Sequence, residues 1–205
     1  MARELDVIDA RTLELATAGT GDRIRGIEGD VARRYFKAMA IHLAYHGVDF
    51  EMAGRTRRPP RDPVNCLLSF LYGVFLTEII GACEAVGLDP QVGFLHRPRS
   101  GRPSLALDLL EEFRPSLIDR LAVAMLTRRQ VRLDHFERIG DAWYLSDVGR
   151  SAVLSIYDEH RSAEVSHPLL RLPVAVWQLP FVQATLMARH IRGEFPVYPA
   201  YVPNR

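Results

Sequence analysis

The residues most suited to chemistry are concentrated at positions 93–115, in the stretch GFLHRPRSGRPSLALDLLEEFRP. This stretch places His96 in an arginine-rich loop and then places Asp108, Glu111 and Glu112 in one predicted helix. Asp108 and Glu111 are neighbours on a helix surface, and neighbouring carboxylates repel each other unless water or a cation compensates. A solvated acidic face is the commonest explanation of such a cluster, and a bound cation is the alternative.

His96 precedes Asp108 by 12 residues and Glu111 by 15, which is close enough for its loop to fold back on the helix. A histidine near arginines is usually an ordinary surface residue. One imidazole with two carboxylates nevertheless suits Mn²⁺ or Mg²⁺ better than structural zinc, which prefers thiolates and histidines. The surrounding arginines would then serve phosphate, and a metal beside phosphate indicates phosphodiester chemistry.

A further carboxylate, Glu28, lies on a predicted helix that begins near Asp22, its predicted N-cap, and continues beyond residue 39. On a helical wheel, Glu28 falls inside the apolar arc of that helix. A carboxylate on an apolar face must be paired, protonated or bound to a metal, because burying it bare costs several kcal/mol. This helix alone favours an ion pair with an arginine over a metal site.

The elements that must position these residues are mostly helical. Periodicity, caps and breakers predict helices over residues 4–18, 22–39 and beyond, 63–86, 103–113, 115–128, 147–164 and 173–192. Asp62 before Pro63 is a predicted N-cap. Alternation around Gly140 predicts a small β-hairpin within residues 131–146. The proline-rich tail from Glu194 is expected to lie across the surface. We therefore expect one mainly α domain over residues 1–205.

The composition is that of a globular protein, with 48% hydrophobic and 25% charged residues, which excludes wholesale disorder. The net charge of +1 hides a skew, because Lys37 is the only lysine and the other 25 basic residues are arginines. Arginine suits bidentate phosphate contacts, although a GC-rich genome is the commoner cause of such a skew.

Three further features predict a cytoplasmic protein. Cys66 and Cys83 lie 17 residues apart in one predicted helix, and a spacing of about 25 Å is too long for a disulfide. The charged N-terminus lacks the apolar run of a signal peptide. The most apolar segment, Cys66 to Thr77, has only 12 residues, whereas a membrane span needs roughly 20.

Four stretches together resemble the C-terminal helical domain of CRISPR-associated protein one, the integrase family that inserts spacers into CRISPR arrays. They are RGIEGDVARRYF, RRPPRDPVNCLLSFLYGVFL, LDPQVGFLHRPRSGRPSLALDLLEEFRP and HPLLRLPVAVWQLPFVQATLMARHIRGEFPVYPAY. They cover nearly the whole chain in the family's order, and the joint occurrence of their motifs makes the resemblance specific. The resemblance implies a multi-helix catalytic domain with metal-dependent DNA endonuclease and integrase activity.

The resemblance also implies a site. The family's metal-binding and catalytic glutamate, histidine and last acid fall on Glu28, His96 and Glu111, with Mg²⁺ or Mn²⁺ as the metal. Many relatives carry aspartate at the last position, so Glu112 could compete with Glu111, and Asp108 could orient His96 or another ligand. The candidate DNA contacts are loop arginines: Arg55, Arg57, Arg58, Arg97, Arg99 and Arg102.

The partners that the resemblance implies are spacer-precursor and CRISPR-repeat DNA, a second copy of the chain and a small ferredoxin-like adaptation protein. Some relatives are fused to an upstream RecB-like exonuclease, which is a further candidate partner. The family's usual N-terminal β-rich domain has no counterpart in this sequence, so dimerisation and partner docking stay open. The alternative function is a catalytically incomplete DNA-binding or scaffold module.

Overall fold

The computed structural model describes residues 1–15, 17, 19–96 and 99–203 and confirms a mainly α fold. The helices are α1 (Ala2–Leu15), α2 (Gly21–Tyr45), α3 (Pro63–Ala85), α4 (Ser104–Phe113), α5 (Asp119–Thr127), α6 (Asp147–Ser162) and α7 (Leu179–Ile191). The strands are β1 (Phe136–Ile139), β2 (Ala142–Leu145), β3 (Glu164–Ser166) and β4 (Pro173–Ala175). They form two separate antiparallel hairpins, β1–β2 and β3–β4.

The chain divides into two compact units. The first unit comprises Met1–Leu67 and Val123–Gly149, and the second comprises Leu68–Ala122 and Arg150–Arg205. Helices α3, α5 and α6 each contribute residues to both units. The single catalytic domain over residues 1–205 stays a prediction.

In the first unit, α1 and α2 are linked by ion pairs. Glu4 of α1 accepts a hydrogen bond of 2.7 Å from Lys37 Nζ and one of 3.2 Å from Arg34 Nη1, both of α2. Thr20, and not Asp22, is the N-cap of α2, because Thr20 has extended backbone and its Oγ1 accepts from the backbone N–H of Arg23. Asp22 already lies inside the first helical turn.

The predicted N-cap of α3 and the predicted hairpin are both confirmed in the first unit. Asp62 Oδ1 accepts a hydrogen bond of 2.8 Å from the backbone N–H of Asn65. Strands β1 and β2 pair antiparallel, with Phe136 opposite Leu145. Phe136 also makes an edge-on ring contact with Phe50, and this contact attaches the hairpin to the unit.

Helix α3 supplies much of the core. Its 23 residues are long and apolar enough for a membrane span by length and composition, but half of its most apolar window is buried within the protein. Leu71, Phe75 and Ile79 are fully buried, so α3 serves as a core helix. Cys66 and Cys83 are buried free thiols, as predicted, and burial raises the pKa of each thiol to about 11.

The sequence pattern predicted one helix that ends at residue 113 and a separate helix that begins at Pro115. In the structure, α4 of the second unit does not end in a loop before Pro115. It continues into α5 through a π-helical turn, Arg114–Ile118. Proline lacks the N–H of a regular α-helical hydrogen bond and its ring clashes with the carbonyl four residues earlier. A wider turn relieves that clash while keeping the chain helical.

The prediction of a helix from Pro173 is wrong for its first turns. Residues 173–175 form β4, which pairs with β3, and α7 begins only at Leu179. Pro180 stands in the first turn of α7, where its missing N–H costs no helical hydrogen bond. The tail also departs from expectation at Tyr201, which is 3% exposed and therefore buried in the second unit.

Candidate functional site

The carboxylate of Asp108 organises the loop that carries His96. Oδ2 accepts hydrogen bonds from the backbone N–H groups of Phe94 at 2.6 Å and Leu95 at 3.0 Å, and Oδ1 accepts from that of His96 at 3.0 Å. His96 Nδ1 lies 2.6 Å from the same Oδ1. Because a carboxylate only accepts, Nδ1 carries the proton in this contact, so the neutral form of the ring has its lone pair on Nε2.

Gly93 permits this loop to approach α4. A Cβ atom at residue 93 would lie 2.7 Å from the carbonyl carbon of Ser104 and 2.8 Å from Asp108 Oδ2. Such distances are shorter than any normal contact, and one of the two neighbours is rigid backbone. The glycine is therefore needed for the hydrogen bonds between Asp108 and the loop.

Glu111 lies on α4 near Asp108 and pairs with Arg114. Arg114 Nη1 lies 2.5 and 2.6 Å from the two carboxylate oxygens, and the Glu111 side chain is 35% exposed. The Arg114 guanidinium also lies over the ring of Tyr72, 4.5 Å from its centroid. The Tyr72 hydroxyl donates to Asp119, which is buried, and burial raises the pKa of Tyr72, so this tyrosine stays neutral.

Glu112 faces a different set of groups. Its Oε1 accepts from the Tyr198 hydroxyl at 2.8 Å, and its Oε2 accepts from Gln183 Nε2 at 2.8 Å and from the backbone N–H of Tyr201 at 2.7 Å. Burial raises the pKa of Glu112. Hydrogen-bond donors of the protein thus already occupy both carboxylate oxygens of Glu112. The competition of Glu112 with Glu111 for a metal stays a prediction.

Glu28 lies on α2 in the first unit, whereas His96 and Glu111 belong to the second. The expected burial of Glu28 is wrong, because Glu28 is exposed. The wheel misled because Ile24 and Val31, on the same arc, are only half-buried, so this face is only partly covered. Within residues 1–15, 17, 19–96 and 99–203, no ion pair involves Glu28, and no group of three His, Cys, Asp or Glu side chains could hold a metal.

The predicted DNA contacts differ in exposure, and their role stays a prediction. Arg55 is half-buried and donates to Asn65 Oδ1 at 2.7 Å and to the Thr56 carbonyl at 2.6 Å. Arg97 lies outside the described residues. The remaining four are exposed or half-buried loop residues: Arg57, Arg58, Arg99 and Arg102.

Sequence reasoning missed two side chains beside the acids of α4. Arg114 follows Glu111 at the i, i+3 spacing of a helical ion pair, so its signal was readable in the sequence. Gln183 gave no signal, because it is 71 residues from Glu112 and only the folded chain brings them together.

Comparisons with known proteins decide the family. Residues 1–159 match the family model described as CRISPR associated protein Cas1. The chain belongs to the Cas1 family. It is 48% identical over 187 residues to CRISPR-associated endonuclease Cas1 2 of Rhodospirillum rubrum, an alignment that covers 91% of this chain and 54% of the relative.

Two further proteins extend the comparison. A CRISPR-associated exonuclease Cas4/endonuclease Cas1 fusion of Geobacter sulfurreducens is 40% identical over 180 residues, covering 86% of this chain and 32% of the fusion. The structure of a Cas1 protein from Thermotoga maritima superposes with a TM-score of 0.78 at 25% identity, covering 98% of this chain and 60% of that one. This Cas1 chain thus spans about half the length of its Rhodospirillum relative.

Proposed function

We propose that this chain is a metal-dependent DNA endonuclease and integrase domain that inserts spacer DNA into a CRISPR array. The observation that carries the proposal is the 2.6 Å contact between His96 Nδ1 and Asp108 Oδ1 beside Glu111 on the same helix. The Rhodospirillum rubrum relative, 48% identical over 187 residues, is named an endonuclease, and it is a longer protein. The activity of that relative is therefore part of the proposal.

Two side chains of the second unit, His96 and Glu111, have the chemistry of ligands to a divalent cation. Metal-binding histidines almost always donate their other ring N–H to a carboxylate or carbonyl group, as His96 does to Asp108. Glu111 remains partly exposed, and Arg114 uses only part of the roughly four lone-pair sites of its carboxylate. We propose that His96 and Glu111, together with Glu28 as the family resemblance implies, would hold Mg²⁺ or Mn²⁺. The bound cation would neutralise phosphate charge and lower the pKa of an attacking hydroxyl.

The protein's own groups would hold and orient the reactants. Asp108 keeps the proton on His96 Nδ1 and fixes the ring. Exposed arginines such as Arg57, Arg58 and Arg99 would contact phosphates and neutralise DNA charge. In strand transfer, the 3′-oxygen of the spacer precursor loses its proton and forms a new P–O bond, while the P–O bond to the 3′-oxygen of the repeat strand breaks and that leaving oxygen takes up a proton. Water as the attacking group would give nicking instead.

The partners belong to the same proposal. We expect a homodimer that binds spacer-precursor and repeat DNA together with the small ferredoxin-like adaptation protein of the family. The Cas4/Cas1 fusion among the relatives supports an exonuclease as a further partner. Because the substrate would be cellular DNA, we place the protein in the cytoplasm.

A strand-transfer and nicking assay on branched and duplex DNA with Mn²⁺, Mg²⁺ or EDTA tests the proposal. We expect cation-dependent products from the wild type and their loss in Glu28→Ala, His96→Ala and Glu111→Ala. Glu159→Ala, which changes an exposed glutamate of α6, is the matched control and should retain activity. Folded protein that binds DNA without any cation-dependent product would refute catalysis by this chain and support the alternative, a DNA-binding or scaffold module.

A further inference from the structure

We propose that Glu112, Gln183 and the tail residues 198–201 act together as a positioning device for α4, the helix that presents Asp108 and Glu111. This proposal rests on the proposed function only where it takes His96 and Glu111 to be ligands of a divalent cation. The geometry itself concerns contacts within the second unit. We call this set of side chains the α4 clamp.

The α4 clamp converges on one carboxylate. Glu112 Oε1 and Oε2 together accept hydrogen bonds from Tyr198, Gln183 and the Tyr201 backbone, at 2.7 to 2.8 Å. Gln183 Nε2 also donates to the Tyr198 hydroxyl at 2.7 Å. The donors come from α7 and from the tail, so two separate segments fix the direction of one side chain on α4.

A buried histidine fixes the orientation of the Gln183 amide. His167 is 1% exposed, and its Nδ1 accepts from the backbone N–H groups of Leu169 and Leu170, both at 3.3 Å. The ring proton therefore lies on Nε2, which is 3.1 Å from Gln183 Oε1 and donates to it. With its oxygen held in this way, the amide turns its NH₂ group toward Glu112.

Ring packing completes the clamp. Tyr201 lies 5.2 Å from Phe113 and 5.7 Å from His167, measured between ring centroids. Phe113 is fully buried at the end of α4 and also contacts the ring of Phe75 edge-on. Phe113 and Glu112 together therefore anchor the last turn of α4 on two sides.

The position of Glu112 explains why this anchoring matters for the site. Glu112 is adjacent to Glu111 and about one helical turn from Asp108, so fixing it fixes the rotation of α4 about its axis. Rotation of α4 would move the Asp108 carboxylate away from the backbone N–H groups of the loop that carries His96. An apolar residue at 112 would fill space equally well, but it would not fix a direction, because hydrogen bonds are directional and apolar contacts are not.

Two variants of the 205-residue chain test the clamp. Tyr198→Phe removes one hydroxyl from a half-buried residue, and Gln183→Met removes the amide while keeping its length. Tyr144→Phe changes an exposed tyrosine of β2 and is the matched control. We would record the imidazole ¹⁵N signals in EDTA, with His96 assigned by His96→Gln, and then Mn²⁺ affinity by electron paramagnetic resonance.

We expect both clamp variants to change the His96 imidazole signal and to weaken Mn²⁺ binding about tenfold, at a temperature where circular dichroism shows folded protein. Glu112→Ala should behave similarly, and Glu112→Gln should restore part of the affinity because its amide oxygen still accepts. An unchanged His96 signal in folded Tyr198→Phe and Gln183→Met would overturn the proposal. If Gln183→Met does not fold, Tyr198→Phe decides alone.

The same measurements separate this inference from the proposed function. If wild type and Glu111→Ala bind Mn²⁺ equally, or neither binds it, the proposed metal site fails. The His96 signal in EDTA still tests the clamp in that case, because it needs no cation. If Mn²⁺ binding depends on Glu111 but the clamp variants retain wild-type affinity and the wild-type His96 signal, the clamp fails and the metal site stands.

Discussion

In the candidate site, Asp108 Oδ1 accepts a hydrogen bond from His96 Nδ1, and the two atoms are 2.6 Å apart. The same carboxylate accepts three backbone N–H groups of residues 94–96. One side chain of α4 thereby sets both the path of the loop and the tautomer of the imidazole. The first prediction concerns this carboxylate.

Asp108→Asn should weaken Mn²⁺ binding by about 10- to 100-fold, because the amide NH₂ group cannot accept from the loop or from His96. Isothermal titration of Mn²⁺ into the folded protein measures the effect. Asp141→Asn is the control, since its side chain is 89% exposed. Equal affinities of Asp108→Asn and wild type would show that Asp108 does not act through His96.

Gly93→Ala should destabilise the protein by about 1–3 kcal/mol, because the new methyl group would collide with the Ser104 backbone. Gly81→Ala is the matched control on the exposed side of α3, where a Cβ meets nothing within 4 Å. That change should stabilise the protein by up to about 1 kcal/mol, since alanine favours helix more than glycine. Urea unfolding of both variants gives the comparison, and equal effects would contradict the close approach.

Arg114→Met should lower the free energy of unfolding by about 1–2 kcal/mol, because it removes the pair with Glu111 and the cation–π contact with Tyr72. The loss is limited because Glu111 is partly exposed and water can solvate it. Arg120→Met, on the exposed side of α5, is the control. Urea denaturation followed by circular dichroism measures both, and a loss no larger than that of the control would argue against the stacked pair.

Glu78 of α3 makes stability depend on pH. Burial raises the pKa of Glu78 above the ordinary 4.5, and the negative charge of Asp158 acts in the same direction. Arg161, whose Nε lies 3.4 Å away, and Tyr157 act in the opposite direction but do not cancel the effect of burial. Above pH 4.5 the folded chain therefore holds a proton that the unfolded chain has released, so the free energy of unfolding falls as pH rises through that window. Glu78→Gln should gain stability relative to wild type as pH rises from about 4.5 to 7.

The control for this pH series is Glu84→Gln, an exposed position on the same helix. Burial lowers the pKa of nearby His160, which gives the opposite slope below pH 6.5. That contribution is common to wild type and Glu78→Gln, so it cancels in their difference. A difference that does not change with pH would show that the Glu78 proton is not held more tightly in the folded state.

Local signals in the sequence predicted the helices, the β1–β2 hairpin and the Asp62 cap, because each depends on residues a few positions apart. The β3–β4 hairpin was missed, since each strand has only three residues and is too short to show an alternating pattern. The burial of Glu28 was misjudged, because a helical wheel shows which face is apolar but not how much of it is covered. The partners of Glu112 lie 71 to 89 residues away, beyond any local pattern.

The π-helical turn Arg114–Ile118 also affects how this chain is aligned with its relatives. A π turn takes up one residue more than an α turn, so the residues of α5 are one residue out of step with the faces that a regular α-helix continuing from α4 would give them. A relative one residue shorter at this turn could run as regular α-helix and still present the same two faces. Numbering offsets taken from Glu111 therefore need not hold beyond Ile118, and Asp119 must be matched to its counterparts by its contact with Tyr72.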